Sequence, residues 1–238
     1  MRALRAEGVS ASYGGAMIVE DISVSVDDGS LAAIVGPNGA GKSTFVKAVA
    51  GVLRPAAGRV YLGDEQLAGL PAHQIVRRGL AYVPQNQNVF PTLSVVENLE
   101  MGAFTRKTGV RARMAEVLDI FPDLAKAPGK RAGALSGGQQ NMLGMARALM
   151  LDPRVVILDE PTAGLSPAYT QVVWDQIARV TAAGTAVLVV EQNVDRALAN
   201  ADHVYVFVAG ANHVSGTSAE IAALDLASIF LGLADAPA

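Results

Sequence analysis

The chain of 238 residues contains no cysteine, which excludes disulfides, thiolate nucleophiles and cysteine-held metals and fits a reducing compartment. It also lacks long hydrophobic runs. Nothing approaches the roughly 18 apolar residues needed to span a bilayer, and the opening MRALRAEGVSASY has no apolar segment of the secretory kind. The chain is therefore expected to be soluble. There is no Lys/Arg run, and 22 acidic against 19 basic residues leave a net charge of −3. The electrostatic footprint of a nucleic-acid binder is missing, so no nucleic-acid partner is expected. Internal repeats and long heptad arms are absent as well. What is present is apolar substance: 51% of residues are hydrophobic, enough for one or two compact lobes with a sizeable core.

Those apolar residues are ordered in a telling way. In IVEDISVSVDDG, Ile18, Ile22, Val24 and Val26 fall on one face of an extended segment, which predicts antiparallel strands within residues 1–30. LAAIV, Leu31 to Val35, is a continuous apolar run between glycines, the mark of a strand buried on both faces. Similar runs, Val155–Leu158, Ala186–Val190 and Val204–Val208, alternate with helical patterns over Gly137–Leu151 and Pro167–Ala183. That order implies an α/β core. From Pro91 to Ala134 the spacing turns helical, with Leu99 near Val95 and Val96 and Leu118 near Met114, punctuated by Gly109, Pro122, Pro128 and Gly129. The terminal ADAPA after Leu233 is expected to fray.

GPNGAGKST, Gly36 to Thr44, fits G-x-x-x-x-G-K-S/T directly after a buried strand and before a helical pattern. Chance yields this pattern in roughly 1% of chains of such length at ordinary glycine usage. Gly36, Gly39 and Gly41, with Asn38 and Ala40 between them, let backbone N–H groups turn toward phosphates at the positive end of the following helix. Lys42 reaches the β- and γ-phosphates, and Ser43 offers a hydroxyl to Mg²⁺, a hard ion that prefers oxygen. VVILDEPT places Asp159 and Glu160 at the end of another buried strand, where α/β sheets gather their ligands. Asp159 suits Mg²⁺ through water, and Glu160 suits the polarisation of water attacking a γ-phosphate. LSGGQQ, Leu135 to Gln140, then sets a serine and two glycines ahead of a helix. It reads either as a helix start capped by Ser136 or as a second anion-binding terminus.

Taken with Gly36–Thr44 and the Asp159–Glu160 pair, LSGGQQ resembles the signature of ATP-binding cassette (ABC) proteins, and the resemblance covers nearly the whole chain. It implies a P-loop NTPase fold, α/β, spanning residues 1–238 as one ATP-binding domain: a RecA-like core, an antiparallel β subdomain at about 1–30 and 55–65, and a helical subdomain at about 91–150. It implies a head-to-tail dimer with ATP between the phosphate loop of one cassette and Ser136, Gly137, Gly138 and Gln139 of the other. Tyr13 matches the aromatic residue that stacks on adenine. Gln85, in AYVPQN, matches the glutamine that approaches Mg²⁺ and the attacking water and senses the membrane partner.

Two positions depart from the usual pattern. Ser166, in PTAGLSP, stands where many cassettes have Asp, and Gln192 stands where most have a histidine that contacts the γ-phosphate. Gln192 can donate a hydrogen bond to a phosphate oxygen but cannot carry a proton or positive charge. FPTLSVVENLEMGAF, GLSP and VVEQN together resemble the smaller ATPase of branched-chain amino-acid importers, although Gln139 sits where that subfamily often has Glu. The resemblance implies membrane permease subunits docked around Gln85–Asn98, a second ABC ATPase that is self or paralogous, an external solute-binding protein acting indirectly, and a peripheral place on the cytoplasmic face of the membrane. Related importers for urea, amides or aromatic acids share these features. A soluble ABC ATPase, or an ATP-dependent switch with little turnover, is the reading from another class.

Overall fold

In a computed structural model the described residues are 1–86 and 88–231; the ADAPA tail lies outside them. The first sheet is antiparallel and runs in the order β2-β1-β4-β5, built from β1 (Arg2–Ala11), β2 (Val19–Asp27), β4 (Ala57–Leu62) and β5 (Glu65–Gln66). The second runs β10-β9-β3-β8-β7-β6, from β3 (Leu31–Val35), β6 (Leu80–Val83), β7 (Val155–Asp159), β8 (Ala186–Val190), β9 (His203–Val208) and β10 (Ala211–Thr217). Its neighbours from β9 to β6 are parallel, and β10 is antiparallel to β9.

The continuous apolar runs are explained by the two cores. Ala33, Val35, Val156, Leu158, Val187 and Val189 face one core, while Ala32, Ile34, Val155, Ile157, Leu188 and Val190 face the other. Side chains alternate across a strand, so a strand covered on both faces must be apolar at every position. In β2 the expected stripe is displaced. Ile22, Val24 and Val26 are buried as anticipated, but Val19 takes the next inward place and Ile18 lies just before the strand. The cause is local: Asp21 has φ +51, and this left-handed residue interrupts the alternation.

The helices are α1 (Lys42–Val49), α2 (Ala72–Arg77), α3 (Val95–Gly102), α4 (Val110–Ile120), α5 (Pro122–Ala125), α6 (Gly137–Leu149), α7 (Pro167–Ala182), α8 (Val194–Asn200), α9 (Ser218–Ala222) and α10 (Leu226–Phe230). α6 and α7 end one or two residues short of the expected spans. α7 opens on the Ser166 cap with Pro167 at its first position and is followed by Gly184 at φ +96, the usual start and stop residues. α6 is closed by a cation from another helix: Nε and Nη2 of Arg113 in α4 donate to Leu149 O at 2.9 and 2.7 Å.

The segment leading into α3 is organised by a buried amide. Asn98, 0% exposed, accepts from Phe90 N at 2.8 Å and donates to the carbonyls of Phe90, Leu93 and Ser94 at 3.0, 3.3 and 2.9 Å. Ser94 and Glu97 add a reciprocal capping box. The loop after β6 is thereby fixed to the helical insert.

Candidate functional site

Four adjacent strands, β3, β8, β7 and β6, deliver the site at their carboxyl ends, the place where open α/β sheets bind ligands. β3 runs into the phosphate loop. Gly41 caps α1 at φ +88, and a Cβ there would meet the Val19 side chain and the Ile18 carbonyl, so only glycine fits on two counts. Lys42 Nζ donates to Gly36 O at 2.7 Å and Pro37 O at 3.0 Å, folding the loop around its ammonium. Burial lowers the Lys42 pKa, opposed by the charges of Glu160, Asp159 and Glu191. Asn38 and Gly39 are exposed at the tip, while Ala40 and Thr44 are buried beneath it.

β7 supplies the carboxylates. Asp159 Oδ1 accepts from Ser43 Oγ at 2.9 Å, and its Oδ2 accepts from Tyr82 OH at 3.0 Å. Burial, then the Asp159 charge, pushes the Tyr82 hydroxyl far up, so it remains a donor. Glu160 has φ +50, and its backbone N–H still donates to Val190 O at 2.9 Å. A non-glycine residue in this region is strained, and here the turn occurs at the second residue of the Asp159–Glu160 pair. Gln85 Nε2, after β6, donates to Glu160 Oε2 at 2.8 Å. Gln192 Nε2, after β8, lies 2.8 Å from both Oε1 and Oε2. The structure thus brings Gln85, Gln192 and Glu160 together, and sets Ser43 beside Asp159.

The residues present fit a magnesium ion. Ser43 and Asp159 offer oxygen donors within hydrogen-bond distance of each other, and among the described residues no group of three or more His, Cys, Asp or Glu could cage a metal. That is the donor set of an ion held by one or two side chains, waters and substrate phosphates.

The structure realises the capped-helix reading of the signature segment. Ser136 Oγ accepts from Gln139 N at 3.3 Å, and Gln139 Oε1 accepts from Ser136 N at 3.1 Å, a full capping box. Ser136 and Gly137 are nevertheless exposed and free of intramolecular cover, whereas Gly138 is buried, and a Cβ on it would enter the Tyr169 ring of α7. Tyr13 lies in the loop between β1 and β2 rather than in a strand, 60% exposed. Ser166 Oγ accepts from Tyr169 N at 3.4 Å as the cap of α7.

The ABC transporter family profile matches residues 19–163. The chain belongs to the ABC transporter family. It is 40% identical over 220 residues to a probable branched-chain amino acid transport ATP-binding protein, LivF of Archaeoglobus fulgidus, covering 92% of this chain and 93% of that one. It is 41% identical over 203 residues to the high-affinity branched-chain amino acid transport ATP-binding protein BraG of Pseudomonas aeruginosa, covering 85% and 87%. Among solved structures it resembles a nucleotide-free ATP-binding cassette of an ABC transporter, with TM-score 0.87, 26% identity and coverage of 99% and 100%. As a cassette of this family the chain is an ATPase and binds ATP.

Three partners of this ABC site were missed by sequence reasoning. Tyr82 donates to Asp159, Thr162 donates to Glu191 at 2.7 Å, and Asn141 in α6 bridges Asn88 at 3.2 Å and Pro161 O at 3.0 Å. Tyr82 sits at an ordinary strand position and Asn141 at an ordinary helix position, and neither carries a local signal. Glu191 did carry one: a charge directly after the five apolar residues of a fully buried strand.

Proposed function

We propose that this chain is the ATP-hydrolysing subunit of an importer for branched-chain or chemically related amino acids. It works on the cytoplasmic face of the membrane, paired head to tail with a second cassette, identical or paralogous. The observation that carries the hydrolytic part is the arrangement around β7: Glu160 held from both sides by Gln85 and Gln192 at 2.8 Å, next to Asp159 and Ser43. The solute class is supported by the two transport relatives above.

In this reading Gly36–Thr44 receives the phosphates, Lys42 exchanges its two carbonyl partners for phosphate oxygens, and Tyr13 stacks on adenine. Ser43, Asp159 and Gln85 would hold Mg²⁺, which when bound neutralises charge on the β- and γ-phosphates. Glu160 accepts a hydrogen bond from the water that attacks the γ-phosphorus, and Gln85 and Gln192 fix the direction of its carboxylate. Ser136, Gly137, Gly138 and Gln139 face the ATP of the opposite cassette; the Tyr169 ring fills the space that a side chain at Gly138 would need.

No helix among the described residues is long and apolar enough to cross a membrane, so transport requires other subunits. A cleft of about 430 Å³ beside the Gln85 loop, lined by Val83, Phe90, Met101, Phe104 and Arg147, suits docking of a permease segment. The decisive experiment is reconstitution with the cognate permeases and solute-binding protein. Leucine-stimulated ATP hydrolysis and uptake are expected; stimulation by another solute alone would reassign the substrate, and persistent failure to associate with any membrane subunit would favour a soluble ATPase.

A further inference from the structure

The hydrolysis scheme leaves one buried carboxylate without a task. Glu191, at the carboxyl end of β8, is 3% exposed. Its Oε1 accepts from Thr162 Oγ1 at 2.7 Å, and its Oε2 accepts from Gln192 N at 3.3 Å. Its own N–H donates to Ile34 O at 3.0 Å, next to the start of the phosphate loop. Burial raises its pKa, and the bonds to Thr162 and Gln192 oppose that rise. A buried carboxylate costs free energy unless its partners compensate, so an apolar side chain would serve better if the position only filled space.

The two groups that Glu191 holds belong to different parts of the site. Thr162 begins the loop that leads to the Ser166 cap of α7. Gln192 carries the amide that lies on both oxygens of Glu160. Thr162, Glu191, Gln192 and Glu160 line one polar cleft of about 340 Å³.

We propose that Glu191 is a positioning residue: by holding Thr162 and the Gln192 backbone together, it ties the loop at 161–166 to the Gln192–Glu160 pair, so that Glu160 keeps its working direction only while that loop is seated. This rests on Glu160 acting on the attacking water, as proposed above. Glu191 does not touch substrate. It acts through Gln192, and the loop acts through it.

The test compares Thr162→Val and Thr162→Ser with the unaltered protein, measuring single-turnover Mg-ATP hydrolysis and, separately, equilibrium ATP affinity. Valine keeps the shape and removes the hydroxyl, so the fold is spared; serine restores the donor. The expected result is a roughly tenfold slower single turnover for valine with ATP affinity within twofold, and a rate within threefold of the original for serine. A loss below threefold for valine, an equal loss in ATP affinity, or failure of serine to recover the rate would each overturn the proposal. Where Glu191→Ala folds, as judged by circular dichroism, adding Thr162→Val to it should slow hydrolysis by less than a further twofold; a full additional tenfold loss would also overturn it. Failure of the underlying reading looks different: Glu160→Gln would then hydrolyse ATP as fast as the unaltered protein, and this inference would fall with it.

Discussion

Gln192 Nε2 lies 2.8 Å from both carboxylate oxygens of Glu160, across the boundary between β8 and β7. From the other side of β7, Gln85 reaches Oε2 of the same carboxylate at 2.8 Å. Glutamates at strand ends ordinarily rotate freely; this one is held by amides from both neighbouring strands. A histidine in place of Gln192 would bring a group able to protonate, whereas the amide is a donor at every pH. Gln192 therefore holds its contact with Glu160 as a donor whose charge does not change with pH.

The first consequence concerns rate. A hydrogen bond to a charged group is worth about 1.5–3 kcal/mol, so Gln192→Ala should slow single-turnover hydrolysis by about 10- to 100-fold. Gln192→His, which retains a donor, should keep most of the rate. Single-turnover assays with matched ATP occupancy decide it, and equal rates in all three proteins would make the amide a bystander.

Glu160 itself should separate chemistry from closure. Glu160→Gln keeps the shape and loses the basic oxygen, so hydrolysis should fall by about 10²-fold or more while ATP still binds. The expected product is a long-lived ATP-bound dimer visible by light scattering. A monomer at saturating ATP would exclude the identical-chain sandwich.

Much of this site was legible before any coordinates. The phosphate loop and the Asp159–Glu160 pair are contiguous stretches whose residue types and spacing point to their chemistry, whereas LSGGQQ reads two ways until it is set beside them and the family resemblance. The strands of the second sheet announced themselves because burial on both faces leaves no polar position. What stayed hidden depends on contacts between distant segments. Tyr82 lies 77 positions from Asp159 and Thr162 lies 29 from Glu191; no local period encodes such pairs. Ile18 was misplaced for the opposite reason: a single left-handed residue, Asp21, breaks an otherwise convincing alternation.

Lys42 carries a pH signature. Burial lowers its pKa from the ordinary lysine value of 10.5, and bound phosphates favour the protonated form. ATP affinity should thus begin to weaken on the alkaline side before an ordinary lysine would titrate. Titration of ATP affinity between neutral pH and pH 10 checks the sign; affinity that rises with pH would contradict it. Lys42→Ala should abolish binding or turnover outright, and unchanged turnover would sink the phosphate-loop assignment.

Asn98 should be a stability residue rather than a catalytic one. Its alanine variant leaves Phe90 N without its partner and removes the side-chain donor from three carbonyls that keep their backbone partners. At about 1–3 kcal/mol for that orphaned N–H and about 0.5–1.5 kcal/mol for each further hydrogen bond lost, tempered by water entering the gap, a loss of about 3 kcal/mol is expected. For a chain of this size that corresponds to a fall in Tm of about 6–12 °C. Differential scanning calorimetry reads it directly, and a shift under about 2 °C would show that the amide cluster is dispensable.

The cleft beside the Gln85 loop should decide association with the membrane subunits. Met101 and Phe104 are 50% and 59% exposed, and the Arg147 guanidinium rests 4.9 Å from the centroid of the Phe90 ring, its pKa lowered by burial. Large apolar side chains left in water around a cleft mark a surface waiting for a partner. Phe104→Asp places a carboxylate on that surface without disturbing the core, so the isolated protein should unfold within about 2 °C of the original. Desolvating the new charge on docking would cost several kcal/mol, which is enough to remove the permease subunits from an affinity-purified complex. Undiminished copurification would place the docking surface elsewhere on the cassette.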